Sequence, residues 1–132
     1  MDILAAVFVE GINQRQVPGP STRIDLTGIM FSLAAPTPPP VSLSPHLVVL
    51  VRCAPDEPGN GTLEVEFTDQ AGAQVARSVQ PVNVEPGRFG RLLVKGDLTY
   101  PEYGTVEAHC RLTSGSGAGS EVVVPLTLLP AQ

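Results

Sequence analysis

The chain has 132 residues, of which 42% are hydrophobic, 16% charged and 5% aromatic, with no Trp. That length supports one core, so residues 1–132 are read as a single domain, and the apolar share excludes a disordered tail, a coiled coil and a collagen. Thirteen acidic residues against eight basic ones leave a net charge of −5. The basic side chains are scattered from Arg15 to Arg111, which argues against nucleic acid or an anionic membrane surface as partner.

Taken in order, the first element is 3–10. Its seven residues from Ile3 to Val9 are apolar on both faces of a strand. With Asp2 where an export signal carries positive charge, the run is too short for a leader. No stretch approaches the 18 apolar residues of a membrane helix, so a cytoplasmic location is expected. Pro18-Gly19-Pro20 marks a turn, and weak alternation at Ile24 and Leu26 predicts a strand over 22–31. Pro36, Pro38, Pro39 and Pro40 predict an extended, polyproline-like segment without ladder hydrogen bonds, crossing an end or a face of the fold.

The run 45–53 is again apolar on both faces, from Leu47 to Val51. Pro58-Gly59-Asn60-Gly61 is a turn, and Asn60-Gly61-Thr62 is read as turn chemistry rather than as a glycosylation site. Over 61–69, Leu63, Val65 and Phe67 alternate with Thr62, Glu64 and Glu66, the pattern of a half-buried strand. Asp69-Gln70-Ala71-Gly72 predicts a hairpin turn into a strand at 73–80. Glu85-Pro86-Gly87 is a further turn, followed by a strand at 88–96.

Over 104–112, Val106, Ala108, Cys110 and Leu112 share one face, while Thr105, Glu107, His109 and Arg111 share the other. The Gly/Ser run 114–120 joins this strand to the last one, 120–129, where Val122 to Leu129 is apolar on both faces. Pro125 removes a ladder donor, so that strand is expected at an edge or with a bulge. Eight short strands, dense turn signals and no helical stripe predict an all-β fold, an antiparallel β-sandwich of about eight strands.

Catalytic and metal chemistry find little support. His46 and His109 are isolated, with no H-x-H or H-E-x-x-H spacing, and Asp56, Glu57, Asn60 and Asp69 lack the EF-hand pattern. Ser116 has Ser114 and Ala118 where a nucleophile elbow requires glycines. Gly115-x-Gly117-x-Gly119 precedes no helix that would hold a phosphate. His109 and Cys110 are strand neighbours on opposite faces, and Glu64 and Glu66 read as a solvated face. Cys53 and Cys110 are either two buried thiols or one bridge between sheets. The expectation is a non-enzymatic protein with no cofactor and no metal.

The runs that are apolar on both faces carry the functional reading. If they share a sheet, Leu4, Phe8, Val48, Leu50, Val123 and Leu129 form an apolar outer face that needs cover. The cover is either the Pro-rich segment folding back or a second chain, and the reading taken is a second copy, giving a homo-oligomer (a dimer), or another protein. The alternative is a small-ligand module whose pocket is built by loops 54–60, 85–88 and 97–103, with Arg88, Tyr100 and Tyr103 as contacts.

Around Pro101-Glu102-Tyr103-Gly104-Thr105-Val106-Glu107 the chain resembles a loose family of short bacterial all-β proteins of unknown function. In those proteins a Pro-x-x-Gly turn enters the penultimate strand, and a Gly-containing loop leads to a final apolar strand. The opening strand from Met1 and the Asp69-to-Gly72 hairpin are similar too. The resemblance covers most of the chain, implies a compact sandwich and supplies no catalytic residues to carry over. The spacing of Cys53 and Cys110 is compatible with an immunoglobulin-like architecture. Without Trp, and with Ala108 at the place of the core tyrosine, the chain is not a true immunoglobulin domain.

Overall fold

Period-two patterning becomes strand throughout this computed structural model, which describes residues 1–19, 22–115 and 119–131. Twelve strands form among the described residues, with no helix: β1 (Asp2–Val9), β2 (Gly11–Gln16), β3 (Thr22–Thr27), β4 (Ser32–Ala34), β5 (Val41–Leu43), β6 (His46–Arg52), β7 (Asn60–Thr68), β8 (Gln74–Asn83), β9 (Phe89–Lys95), β10 (Leu98–Tyr100), β11 (Gly104–Ser114) and β12 (Gly119–Leu129). One sheet has the order β1-β6-β9 and the other β4-β12-β11-β7-β8; the pairs β10-β5 and β2-β3 complete the set. The chain is thus an all-β protein built of packed, mainly antiparallel sheets. The Pro20 turn position and Ser116, Gly117 and Ala118 of the Gly/Ser loop lie outside the described residues.

The core lies between the two larger sheets. Leu63, Val65 and Phe67 of β7 and Val106, Ala108, Cys110 and Leu112 of β11 point inward, as the alternation predicts. Leu47, Val49 and Val51 of β6 meet them from the other sheet. The five-stranded sheet is held by long antiparallel ladders, β11 with β12 and with β7, and β7 with β8. Beside them β1 runs against β12 and β9 against β8, so the sheets approach along both margins.

Twelve strands replace the expected eight, for two physical reasons. β4, β5 and β10 have three residues each, too few for alternation to register. β2, in contrast, is paired with β3 along its whole length, from Gly11↔Thr27 to Gln16↔Thr22. Its residues Asn13 to Gln16 are exposed on both faces, so no apolar period marks them. The strand expected over 22–31 is β3 alone, ending at Thr27.

The polyproline expectation is met in part. Residues 36–40 lie in no strand and carry the chain from β4 to β5. The Pro39–Pro40 peptide within this run is cis. At the hairpin after β7, Asp69 Oδ1 accepts hydrogen bonds from the amides of Ala71 at 3.0 Å and Ala73 at 2.9 Å. Gly72 there takes φ +83°, a left-handed conformation that a Cβ disfavours.

Pro125 sits where its missing donor costs nothing. The strand order places β12 inside its sheet, but β4 pairs only with Thr127, Leu128 and Leu129. Thr127 N–H points to that side, donating to Phe31 O at 2.9 Å. The amide two residues earlier faces the same way, beyond the end of β4, so β12 is a local edge at Pro125.

A candidate interaction surface

A β-bulge in β1 decides which of the sequence-derived interface residues reach solvent. Ile3 pairs with Val51 and Ala5 with Leu50, leaving Leu4 as the extra residue. Bulging shifts the inward parity from Met1 and Ile3 to Ala6 and Phe8. Phe8 is therefore a core side chain, 0% exposed, and not part of an outer face. Leu4 projects outward and is 56% exposed.

The other expected interface residues divide between two sheets. Val48 and Leu50 lie on the outer side of β6, but Val48 is completely buried within a single chain and Leu50 is half-buried. Val123 and Leu129 are exposed on the outer side of β12, in the other sheet. The six residues do not form one face. Phe8 is inside, Val48 is already covered, and Val123 and Leu129 look away from Leu4 and Leu50.

The outer side of the three-stranded sheet still forms a coherent surface, and β9 supplies what the sequence reading missed. Its ladder with β6 sets Phe89 opposite Arg52, Arg91 opposite Leu50, Leu93 opposite Val48 and Lys95 opposite His46. Phe89 and Leu93 are 47% and 48% exposed. Arg52, Arg91 and Lys95 are exposed on the same side. Among the described residues Arg91 and Lys95 have no ion-pair partner. Cations scattered along the sequence are thus gathered on one face by strand pairing, with Asp2, opposite Arg52, as the carboxylate of that face. Along β1, Met30 forms a bridge with Phe8 and packs against the core, while Ile29 and Phe31 on either side of it are exposed.

The outer side of the five-stranded sheet has the opposite balance. Glu64 and Glu66 of β7, Glu107 of β11 and Glu121 of β12 share that side with Arg77 and Arg111. Arg111 Nη1 lies 3.1 Å from Glu64, and Arg111 Nε lies 3.5 Å from Glu121. Arg77 Nε donates to Glu64 at 3.0 Å. These guanidiniums, Arg77 first, hold the Glu64 carboxyl below its ordinary value. His109 Nε2 is 3.1 Å from Thr68 Oγ1, and its two ring nitrogens lie 4.0 Å from Glu107 and Glu121. Four carboxylates thus face two guanidiniums, amid exposed Val79 and Val123.

The candidate ligand pocket does not assemble as the sequence suggested. Loops 54–60 and 85–88 do meet: Cys53 N–H donates to Arg88 O at 2.9 Å and Val84 N–H to Gly59 O at 2.7 Å. Residues 97–103 lie at the other end of β6, beyond the His46↔Lys95 pair. The seven residues of β6 put about 20 Å between the ends, at ~3.3 Å each. Arg88 therefore cannot join Tyr100 and Tyr103, and pairs instead with Glu85 at 3.1 Å.

Tyr100 is a core residue. Its hydroxyl donates to Leu126 O at 2.9 Å, and burial pushes its pKa up to about 12. A cleft of about 240 Å³ does bring Tyr100 and Tyr103 together, with Thr99, Glu102 and the Asp69–Ala71 turn. It falls below the ~300 Å³ at which small-molecule pockets begin. Of its polar groups, Asp69 is held by the turn amides and Gln70 Oε1 accepts from Thr105 N–H at 3.3 Å.

Both cysteines are free and buried, which settles the choice between two thiols and a bridge. Cys53 turns its thiol to the carbonyls of Ala54, Glu57 and Pro58. Burial pushes the Cys110 thiol up to about 12, far from a reactive thiolate. The same loop takes the Met1 ammonium, whose contact with Glu57 holds that carboxyl below its ordinary value. Among the described residues no group of three or more His, Cys, Asp or Glu could hold a metal ion, and no helix is long and apolar enough to cross a membrane. Compared with protein families and with curated proteins, the chain matches none.

Proposed function

We propose that this chain is a non-enzymatic interaction module of the cytoplasm that self-associates through the outer side of its three-stranded sheet. The observation that carries the reading is the row Phe89, Arg91, Leu93 and Lys95 of β9, with Leu4 and Leu50 beside it. Apolar side chains about half exposed alternate there with cations, two of which lack an ion-pair partner. Exposed apolar side chains grouped in this way on one sheet face mark contact sites more often than plain solvent-facing sheet does. A second copy is the occupant the chain itself supplies, because its other sheet carries the opposite charge balance.

The non-enzymatic reading is supported by how the reactive groups are spent. Cys110 is buried in the core while His109 faces outward to Thr68. Glu64 is engaged by Arg77 and Arg111, and Tyr100 by the Leu126 carbonyl. The two free thiols fit a reducing compartment.

The surface also sets the strength to expect. Three strands about 4.8 Å apart and seven residues of ~3.3 Å give a flat footprint of about 14 by 23 Å. That is below the ~800 Å² per partner of a standard stable interface, so association is weak and depends on concentration. Light scattering on the size-exclusion eluate of the purified chain tests this. The expected result is an average mass that rises above 13.8 kDa as loading concentration increases. A constant monomer mass up to millimolar concentration overturns the proposal.

A further inference from the structure

Resting on that reading, we infer that the contact is heterologous: the cationic, apolar outer side of the three-stranded sheet docks on the acidic outer side of the five-stranded sheet of the next copy. The argument is charge complementarity. One face presents Arg52, Arg91 and Lys95 against Asp2, with Glu57 near enough to Arg52 to feel its charge, around Phe89, Leu93 and Leu4. The other presents Glu64, Glu66, Glu107 and Glu121 against Arg77 and Arg111, beside exposed Val79 and Val123.

Symmetric pairings fail on the same count. A two-fold contact through the three-stranded sheet sets three cations against three, and one through the five-stranded sheet crowds eight carboxylates against four guanidiniums. Like charges held together at a contact suppress association, and a small interface has little apolar burial to offset that. Joining unlike faces places the unpaired Arg91 and Lys95 against surplus carboxylate. Glu107 and Glu121 are the most available, since both are about half exposed.

Because the two faces lie on opposite sides of one sandwich, each bound pair leaves one face of each kind free. A heterologous contact of that type propagates into a stack or closes into a ring, and does not stop at the dimer expected from sequence.

Charge-swapped variants separate the possibilities by sedimentation velocity at low ionic strength. Arg91→Glu with Lys95→Glu, and separately Glu107→Lys with Glu121→Lys, are each expected to require at least about tenfold higher concentration than the parent to associate. An equimolar mixture of the two variants restores association, because every contact between unlike copies is again complementary. The parent itself is expected to pass the dimer mass as concentration rises.

If the parent is monomeric throughout, the self-association reading fails and this inference with it. If the parent associates but stops at the dimer, or the Glu107→Lys, Glu121→Lys variant associates like the parent, the heterologous contact is overturned while self-association stands. Failure of the mixture to recover, with both variants folded by circular dichroism, overturns it as well. Should the lysine pair not fold, Glu107→Gln with Glu121→Gln replaces it. A weakened parent-type association then supports the contact, and an unchanged one overturns it.

Discussion

A single bulged residue sets the roles of Leu4 and Phe8, which look equivalent in an unbroken apolar run. With Leu4 outside the ladder, Phe8 falls on the core side, across from Leu47. Phe8→Ala is therefore expected to cost about 3–5 kcal/mol, the range for removing a buried aromatic ring. Leu4→Ala should stay within about 0.5–1 kcal/mol, as at an ordinary exposed site. Urea unfolding of the two variants reads this contrast, and similar losses for both would place Leu4 in the core after all. The charge network supplies a second residue-scale test. The folded-state pKa of Glu64 lies below its ordinary 4.5, chiefly through Arg77. Its contribution is therefore complete above the unfolded value and disappears as pH falls through the lower folded one. As pH falls through and below the ordinary carboxylate range, Glu64→Gln is expected to flatten the loss of stability on acidification. An acid limb identical to the parent's would mean the network adds nothing to folding.

Among the elements, the β2–β3 hairpin stands apart, since its strands pair with each other and, among the described residues, none of theirs belongs to the buried core cluster. Its visible support is local, including the Arg15–Asp25 ion pair at 2.7 Å between exposed side chains, a kind worth little in water. Shortening the hairpin to a two-residue Asn-Gly turn between Gly11 and Thr27 is expected to lower the melting temperature only by the few degrees that about 1 kcal/mol represents. A collapse of the fold would show that the hairpin supports the sandwich. Strands facing the core were legible because one side must be apolar, as at Leu63, Val65 and Phe67. β2 was not legible because both its faces are wet, so nothing constrains Asn13 to Gln16 to alternate. β4, β5 and β10 are defined by their partners, and three residues carry no period.

At the scale of the molecule, the sandwich has two outer faces with different charge balance, and association should respond to salt accordingly. Raising sodium chloride from about 0.1 to 1 M shortens the screening length from about 10 to 3 Å. The concentration needed for self-association is expected to rise with it. Association that strengthens with salt would mean that apolar contact at Phe89, Leu93 and Leu4 acts alone. Part of the candidate surface was readable in advance: Leu4 and Leu50 belong to runs too apolar for a one-sided strand. Phe89, Arg91 and Lys95 were not readable, because nothing local to β9 shows that its outer residues stand beside those of β6.

From sequence alone came the all-β class, the inward residues of β7 and β11, and the Asp69 turn, since each rests on period two or on the chemistry of adjacent residues. Tertiary structure alone decided that β1 changes parity at Leu4, that Pro125 lies at a local edge, and that Arg88 and Tyr103 sit at opposite ends. Those outcomes depend on register and on which strands become neighbours, and both are set by how two sheets close over one core.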